Sequence, residues 1–481
     1  MERHANFIAG KWVTPEGGRY YTTHNPAHPS QILGEFPSSA WQETAAAITA
    51  ASKAFPDWAR TPSPQRGAIL YRFAQLLEDS KNELASIVTM EQGKALSESQ
   101  GEVGRAAAEA RYMAGEASRP LGQTYPSERA GFTCHTVVEP LGVVACISPW
   151  NFPVVTPVRK IAPAIAFGNT VVFKPATLTP WTAVFLVQLL EKAGVPPGVV
   201  NLLIGLGSVV GDSLVADERV RGISFTGSSE IGMRVSETAS RRLAGVQLEL
   251  GGKNPAIVID CDDLDGAAKE IVAAAYLCSG QRCTALSRVI VAEAQADALV
   301  ERLASYVMRI RVGDGMLAGT TMGPLVSRTQ FRIVDGYVWH GIDSGCTALA
   351  GGAPLVRDPD REGYYYAPTL FDHVPPDSPL AREEIFGPVL PVIRVRDADQ
   401  ALAVANDTRY GLAAAVFTSR PEWMQKFVAG LETGMVHVNH GTASQAHVPF
   451  GGRKESGQGA FSIGPTAREF FTHVKAVYAK W

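Results

Sequence analysis

Hydrophobic and polar positions follow two rhythms along the chain. Near the amino terminus, two Ala-rich stretches over roughly 43–60 and 65–91 space apolar residues as amphipathic helices do. From about residue 142, short β-branched runs alternate with longer amphipathic ones: Gly142-VVACIS, Thr170-VVFKPA, Val199-VNLLIG, Arg221-GISFTG and Pro255-AIVID. One intervening helix opens at Thr179-Pro180, a cap residue followed by proline at the first helical position. Strands alternating with helices predict an α/β fold with a doubly wound parallel sheet. Ligands of such sheets bind at the carboxyl ends of the strands. A second α/β stretch runs from about 252 to 450, starting with a helix pattern over Leu264 to Cys278. The final segment, Arg468-EFFTHVKAVYAKW, alternates apolar and polar positions, as a terminal strand with an exposed edge does, and is read as an oligomerisation strand.

Composition narrows the class. A chain of 481 residues with 46% hydrophobic positions builds more than one buried core. Its 44 basic and 47 acidic residues nearly cancel, which argues against a nucleic-acid or anionic-membrane partner. Six cysteines are scattered without CxxC pairing, as expected of reduced thiols, and no metal site is expected. The start, MERHANFIAGKWV, has no signal-peptide pattern, and no apolar run approaches the ~20 residues that cross a bilayer. These features predict a cytoplasmic protein.

Three polar positions interrupt this pattern where chemistry is expected. Cys283, in Ser279-GQRCTA, has polar or permissive neighbours, and the adjacent Arg282 favours a thiolate. The competing reading is a buried small hydrophobe, the usual fate of a free cysteine and the one expected for Cys278 in Ala273-AAYLC. Glu249, in Gln247-LELGGKNP, closes an apolar strand-like run, where desolvation raises a carboxyl towards the range of a general base; an exposed strand-end glutamate is the alternative. Asn151, in Ser148-PWNFP, follows a predicted central strand and suits a side-chain amide aimed at an oxyanion, or else a simple turn. Phe225-TGSSEIG places Gly227 and Gly232 at a strand-to-helix turn able to face a pyrophosphate, Gly205-LGSVVG resembles a dinucleotide fingerprint with its third glycine displaced, and Lys174 ends another strand.

Taken in order, Pro149-WNFP, Lys174-PA, Phe225-TGS, Glu249-LGGKN, Gly280-QRC, Glu384-IFGP and Pro449-FGGRKESG resemble the aldehyde dehydrogenase superfamily over essentially the whole chain. The resemblance implies a dinucleotide-binding domain over 1–120 and 141–251, a catalytic domain over 252–452 and a β oligomerisation arm over 121–140 and 453–481. It implies catalytic roles for Cys283 as nucleophile, Asn151 as oxyanion donor, Glu249 as the base for thioester hydrolysis, and Lys174. The cofactor, NAD or NADP, would lie across Ile147, Ser148, Pro149, Trp150, Lys174, Thr177, Gly207, Phe225, Thr226, Gly227, Ser228 and Leu250. Glu384 would take the nicotinamide ribose, and Phe386 would pack beside the ring. Many NAD-preferring members carry glutamate where this chain has Thr177, so NADP is expected to be tolerated, with the preference between the two cofactors left open.

Substrate class rests on a few further positions. Arg159 and Ser444 match residues with which succinate semialdehyde dehydrogenases hold a carboxylate. Leu277 replaces a second arginine of theirs, with Arg282 and Arg105 able to compensate. The sequence around Gly280-QRCTA looks closer to α-ketoglutarate semialdehyde dehydrogenases. A short anionic semialdehyde is therefore expected, with neutral, aromatic, sulfonate or phosphonate aldehydes as alternatives. A coenzyme A-acylating relative commonly lacks the glutamate, and a catalytically silent one lacks the intact trio, so water-dependent oxidation by a homodimer or homotetramer is the expectation.

Overall fold

The computed structural model describes residues 2–119 and 122–481, so the expected junction between cofactor domain and arm at 120/121 lies outside the described residues. The first helical stretch folds as Trp41–Arg60. The second is two helices, Ser63–Asp79 and Lys81–Gln92, because the chain breaks at Ser80. A further long helix that periodicity did not single out, α1 (Leu96–Glu116), buries Val103, Ala106, Ala107 and Ala110. Its small residues let it lie closely along Ser63–Asp79.

The β-branched runs form β1 (Val143–Ile147), then after α2 (Val155–Ala166) β2 (Thr170–Lys174), followed by Val200–Leu202 and β3 (Val220–Thr226). Helix α3 (Ser229–Ser240) leads into β4 (Gly245–Glu249). These strands pair in parallel in the order β4–β3–β1–β2–(200–202), which makes β1 central. Asn6–Ile8 and Lys11–Val13 extend one edge antiparallel, and Gly457–Gln458 closes the other against β4, giving eight strands among the described residues. Helices cover both faces, and every residue of β1 and β2 is buried, which explains their continuous apolar sequence.

Among the described residues a second sheet has seven strands and holds Asn254–Val258, the Pro255-AIVID run, in its interior between Leu286–Ala292 and Ala413–Phe417. Its helix α4 (Leu264–Tyr276) ends two residues before the expected Cys278, because Cys278, Ser279 and Gly280 are all left-handed, with φ of 56°, 57° and 70°. Thr472–Lys480 pairs antiparallel with Phe132–Pro140, and Thr124–Tyr125 lies beyond. This small sheet leaves Val474 and Tyr478 exposed and the outer edge of Thr472–Lys480 open among the described residues.

Residues 453–471, expected in that arm, are elsewhere. Gly457 pairs with Glu249, Ile463 packs with Leu412 and Phe450, and Phe470 and Phe471 enter the first core. Gly459 permits this approach: a Cβ there would lie 2.2 Å from the Val246 carbonyl oxygen, and its φ is +86°. Among the described residues no helix is long and apolar enough to cross a membrane.

Candidate active site

The loops after β1, β3 and β4 face residues 273–284 and 384–386 of the second sheet across a cavity of about 900 Å³. Cys283, Glu249 and Asn151 all line it. The left-handed run before the cysteine sets its path, since a Cβ on Gly280 would lie 2.2 Å from the Gly387 carbonyl oxygen. Cys283 is half-buried and packs against Leu412, Phe450 and Ile463. Burial, followed by the Glu384 carboxylate, pushes the thiol up to about 11; Arg159 and Arg282 pull it down and Glu249 raises it. The expectation that Arg282 favours a thiolate thus holds in direction only. Desolvation outweighs it, and the resting group is a neutral thiol.

Asn151 is buried on the turn between β1 and α2. Its Nδ2 donates to the Gln281 carbonyl at 3.0 Å, and its own carbonyl accepts from Lys94 Nζ at 2.6 Å. An amide nitrogen carries two hydrogens, so one stays available to a ligand. Glu249 ends β4 in a buried position, and its Oε2 has no partner among the described residues. Burial lifts its carboxyl to about 7 against the pull of Lys160 and Arg159. Lys160, on α2, donates from Nζ to Ser224 Oγ at 3.1 Å and is itself lowered by burial to about 8.

Pro149, Trp150, Thr226, Gly227, Ser228, Leu250, Glu384 and Phe386 line the same cavity. The Trp150 and Phe386 rings meet edge to face at 5.4 Å. Glu384 Oε1 accepts from the Gly252 amide at 2.9 Å, and burial holds its carboxyl up at about 7. A Cβ at 251 would lie 2.3 Å from Glu384 Oε2 and would push that carboxylate aside. Phe225 lies beneath the turn, its ring 2.5 Å from a Cβ built on Gly227, and Ser228 caps α3 by accepting from the Ile231 amide.

Ile147, Ser148, Lys174, Thr177 and Gly207 lie outside this cavity, at the ends of β1 and β2 and on the turn after Val200–Leu202. Lys174, expected among the catalytic residues as well as the cofactor's, is therefore apart from Cys283. Its Nζ donates to the Pro175 carbonyl at 2.8 Å, burial lowers it to about 8, and its stem lies against Gly211. Thr177 is half-buried on the turn after β2. An open backbone at Gly207, the Lys174 ammonium, the α3 start and the Glu384 carboxylate together supply what a dinucleotide's phosphates and riboses require. The residues fit that cofactor.

The predicted substrate residues form the opposite wall, with features the sequence did not show. Arg159 is bidentate on Glu109, at 3.1 and 2.8 Å, and sits 4.5 Å over the Phe450 ring. Arg105 bonds the same Glu109 at 3.0 Å and reaches the Ser444 hydroxyl at 3.0 Å and its carbonyl. Two guanidiniums thus share one carboxylate. Arg282 donates only to Thr284 Oγ1 and the Thr442 carbonyl among the described residues, both at 3.2 Å. Leu277 lines the cavity where an arginine was absent.

Lys94, Glu98, Glu102 and Glu109 escaped sequence reasoning. Three carboxylates at intervals of four and seven in an Ala-rich helix were the available signal.

The family model described as the aldehyde dehydrogenase family matches residues 12–477. The chain is 40% identical over 476 residues to the alpha-ketoglutaric semialdehyde dehydrogenase of Bacillus subtilis, covering 99% of this chain and 98% of that protein. It is 36% identical over 457 residues to the NADP(+) succinate-semialdehyde dehydrogenase of Escherichia coli, covering 95% and 94%. The crystal structure of an NAD-dependent aldehyde dehydrogenase from Sinorhizobium meliloti superposes with a TM-score of 0.97 at 35% identity, covering 100% of this chain and 95% of that one.

The neutral thiol generates a prediction for the free enzyme. Iodoacetamide should alkylate Cys283 at a rate that rises with pH and shows no plateau below about pH 11. Glu384→Gln removes the charge that raises the thiol most, so alkylation near neutral pH should quicken several-fold. Mass-spectrometric mapping of the modified peptide against pH checks both, and an unmoved profile in the variant would refute the assignment of Glu384's effect.

Proposed function

Because this chain belongs to the aldehyde dehydrogenase family, we propose that it oxidises a short anionic semialdehyde, of the succinate or α-ketoglutarate semialdehyde type, to the carboxylate with NAD or NADP. The observation that carries this reading is the shared carboxylate: Arg105 and Arg159 bond one Glu109, so the wall beside Ser444 keeps a net positive charge facing the cavity. A distal carboxylate on the substrate would complete that charge balance. The semialdehyde substrates named for the two relatives support the same class.

In this reading Cys283 gives its thiol proton to solvent and attacks the aldehyde carbon as the thiolate, and the free N–H of Asn151 with the Cys283 backbone amide stabilises the oxyanion. Bound across Pro149, Trp150, Thr226 to Ser228, Leu250, Glu384 and Phe386, with Ile147, Ser148, Lys174, Thr177 and Gly207 beyond, the nicotinamide dinucleotide would supply the electron acceptor. Oxidation leaves a thioester on Cys283. Glu249 in its carboxylate form takes a proton from water, which hydrolyses the thioester and frees the thiol. The presence of this buried base favours water over coenzyme A as the acyl acceptor. The open edge of Thr472–Lys480 suits pairing with a second copy, and the working form is a cytoplasmic homodimer or homotetramer.

Glu249→Gln should retain a first-turnover burst of reduced cofactor and then turn over slowly. In the parent enzyme, a kcat limited by hydrolysis should fall as pH drops through about 7, because the raised carboxyl is protonated there. Stopped-flow absorbance at 340 nm measures both, and equal loss of burst and steady state would make Glu249 an activator of the thiol instead.

Thr177→Glu should weaken NADP use by well over tenfold. A carboxylate ~4 Å from a 2′-phosphate costs several kcal/mol at an effective dielectric of about 20, and each ~1.4 kcal/mol is a factor of ten. Kd values for both cofactors, by fluorescence titration, decide the point. Unchanged NADP binding would show that some other group sets the tolerance.

Arg159→Leu should lower kcat/KM for succinate semialdehyde roughly ten- to hundredfold, the worth of a charge-assisted hydrogen bond of ~1.5–3 kcal/mol. Butanal should lose little, and Ser444→Ala should act in the same direction more weakly. Equal losses for both aldehydes would mean that Arg159 supports the fold of the cavity wall and not the substrate.

A further inference from the structure

Four hydrogen bonds converge beneath the loop that carries Asn151, and none comes from a residue assigned above to substrate or cofactor. Lys94 is 1% exposed. Its ammonium lies 2.6 Å from the Asn151 carbonyl, 2.8 Å from Glu102 Oε2 and 4.0 Å above the Phe152 ring. The other oxygen of Glu102 accepts from the amides of Val154 at 2.8 Å and Val155 at 3.1 Å, where α2 begins. Both ends of the segment 151–155 are therefore held by one buried ion pair.

The pair is itself rigidly seated. Lys94 follows Gly93, whose φ is +99°, and a Cβ built on Gly323 would lie 1.8 Å from the Gly93 carbonyl oxygen. The Leu96 amide donates to the Gly315 carbonyl at 2.9 Å, which fastens the start of α1 to the same neighbouring loop. One turn along α1, Glu98 Oε1 accepts from the Cys278 amide at 2.6 Å and so holds the approach to the nucleophile.

We propose that Lys94 and Glu102 are positioning residues for the oxyanion donor, acting through Asn151 without touching the substrate. This rests on Asn151 being that donor. A buried ion pair is a poor device for stability alone, because desolvation offsets its attraction. It is well suited to fixing a carbonyl and two amides at once, and an oxyanion hole depends on such placement. The side-chain bond from Asn151 to the Gln281 carbonyl then transmits the position to the loop bearing Cys283. Lys94, through the backbone, and Gln281, through the side chain, thus bracket the amide.

The test is a double-mutant cycle on the full-length enzyme with saturating cofactor. Lys94→Met should lower kcat about ten- to hundredfold, the range expected when a reacting group is misplaced by ~1 Å. KM for aldehyde and cofactor should change only a few-fold, and Lys94→Arg should restore most of kcat. Asn151→Ala alone should cost roughly 10²–10³ in kcat. In that background Lys94→Met should add little. Should Lys94→Met fail to fold, Glu102→Gln keeps an acceptor for the Val154 amide and weakens the pair. Its smaller loss should likewise vanish in the Asn151→Ala background. Losses that multiply in the double variant, or an unchanged kcat in either single variant, would overturn the proposal. Full activity in Asn151→Ala would instead remove the reading on which it rests, which separates the two failures.

Discussion

The site is governed by the cost of taking charge out of water. Four groups that are ordinarily ionised are drawn towards the middle of the pH scale by burial. Glu249 and Glu384 rise to about 7, and Lys160 and Lys174 fall to about 8. The Cys283 thiol moves the other way, out of reach of spontaneous ionisation. Such a site keeps its thiol protonated and its buried carboxyls ready to exchange a proton under ordinary conditions. Desolvation is supplied by the packing of two sheets around one cavity, so chemistry and architecture have the same origin.

Helix α1 organises that packing, although it contains none of the motif residues. Three of its carboxylates each serve a different part of the site: Glu98 holds the approach to Cys283, Glu102 the loop of Asn151, and Glu109 the arginine pair. Because the three share one rigid element, the distances among those parts are set by helix geometry and not by flexible connections. The alanines between them let the helix lie deep enough for its acids to reach inward.

Much of this was legible beforehand. The strands after 142 read clearly because parallel strands buried on both faces must be continuously apolar, and the polar residues ending them then stood out. Glu249 and Asn151 were found in this way, Cys283 by its polar neighbours and Glu384 by the family resemblance, and the four converge on one cavity. What was missed lies in the acids of α1. A charged residue on a helix reads first as a solvated face, and the spacing of these acids did not say that Lys94, Arg105 and Arg159 meet them in the interior. The course of 453–471 was misjudged for a related reason. Its glycines mark close approach, yet they do not say to which strand. The break at Ser80 and the end of α4 at Tyr276 show local backbone geometry overriding a periodic pattern.

The strand pairing of Gly457 with Glu249 bears on how the molecule is made. Glu249 lies near the middle of the chain, but the segment that closes its sheet edge is synthesised almost last. During translation the first sheet therefore emerges with that edge unpaired and the carboxylate still in water, as an ordinary surface acid. Contacts of such long sequence separation form slowly and late. The nascent chain thus acquires most of its core before Glu249 is covered, and closure of that sheet edge is one of the final events of folding.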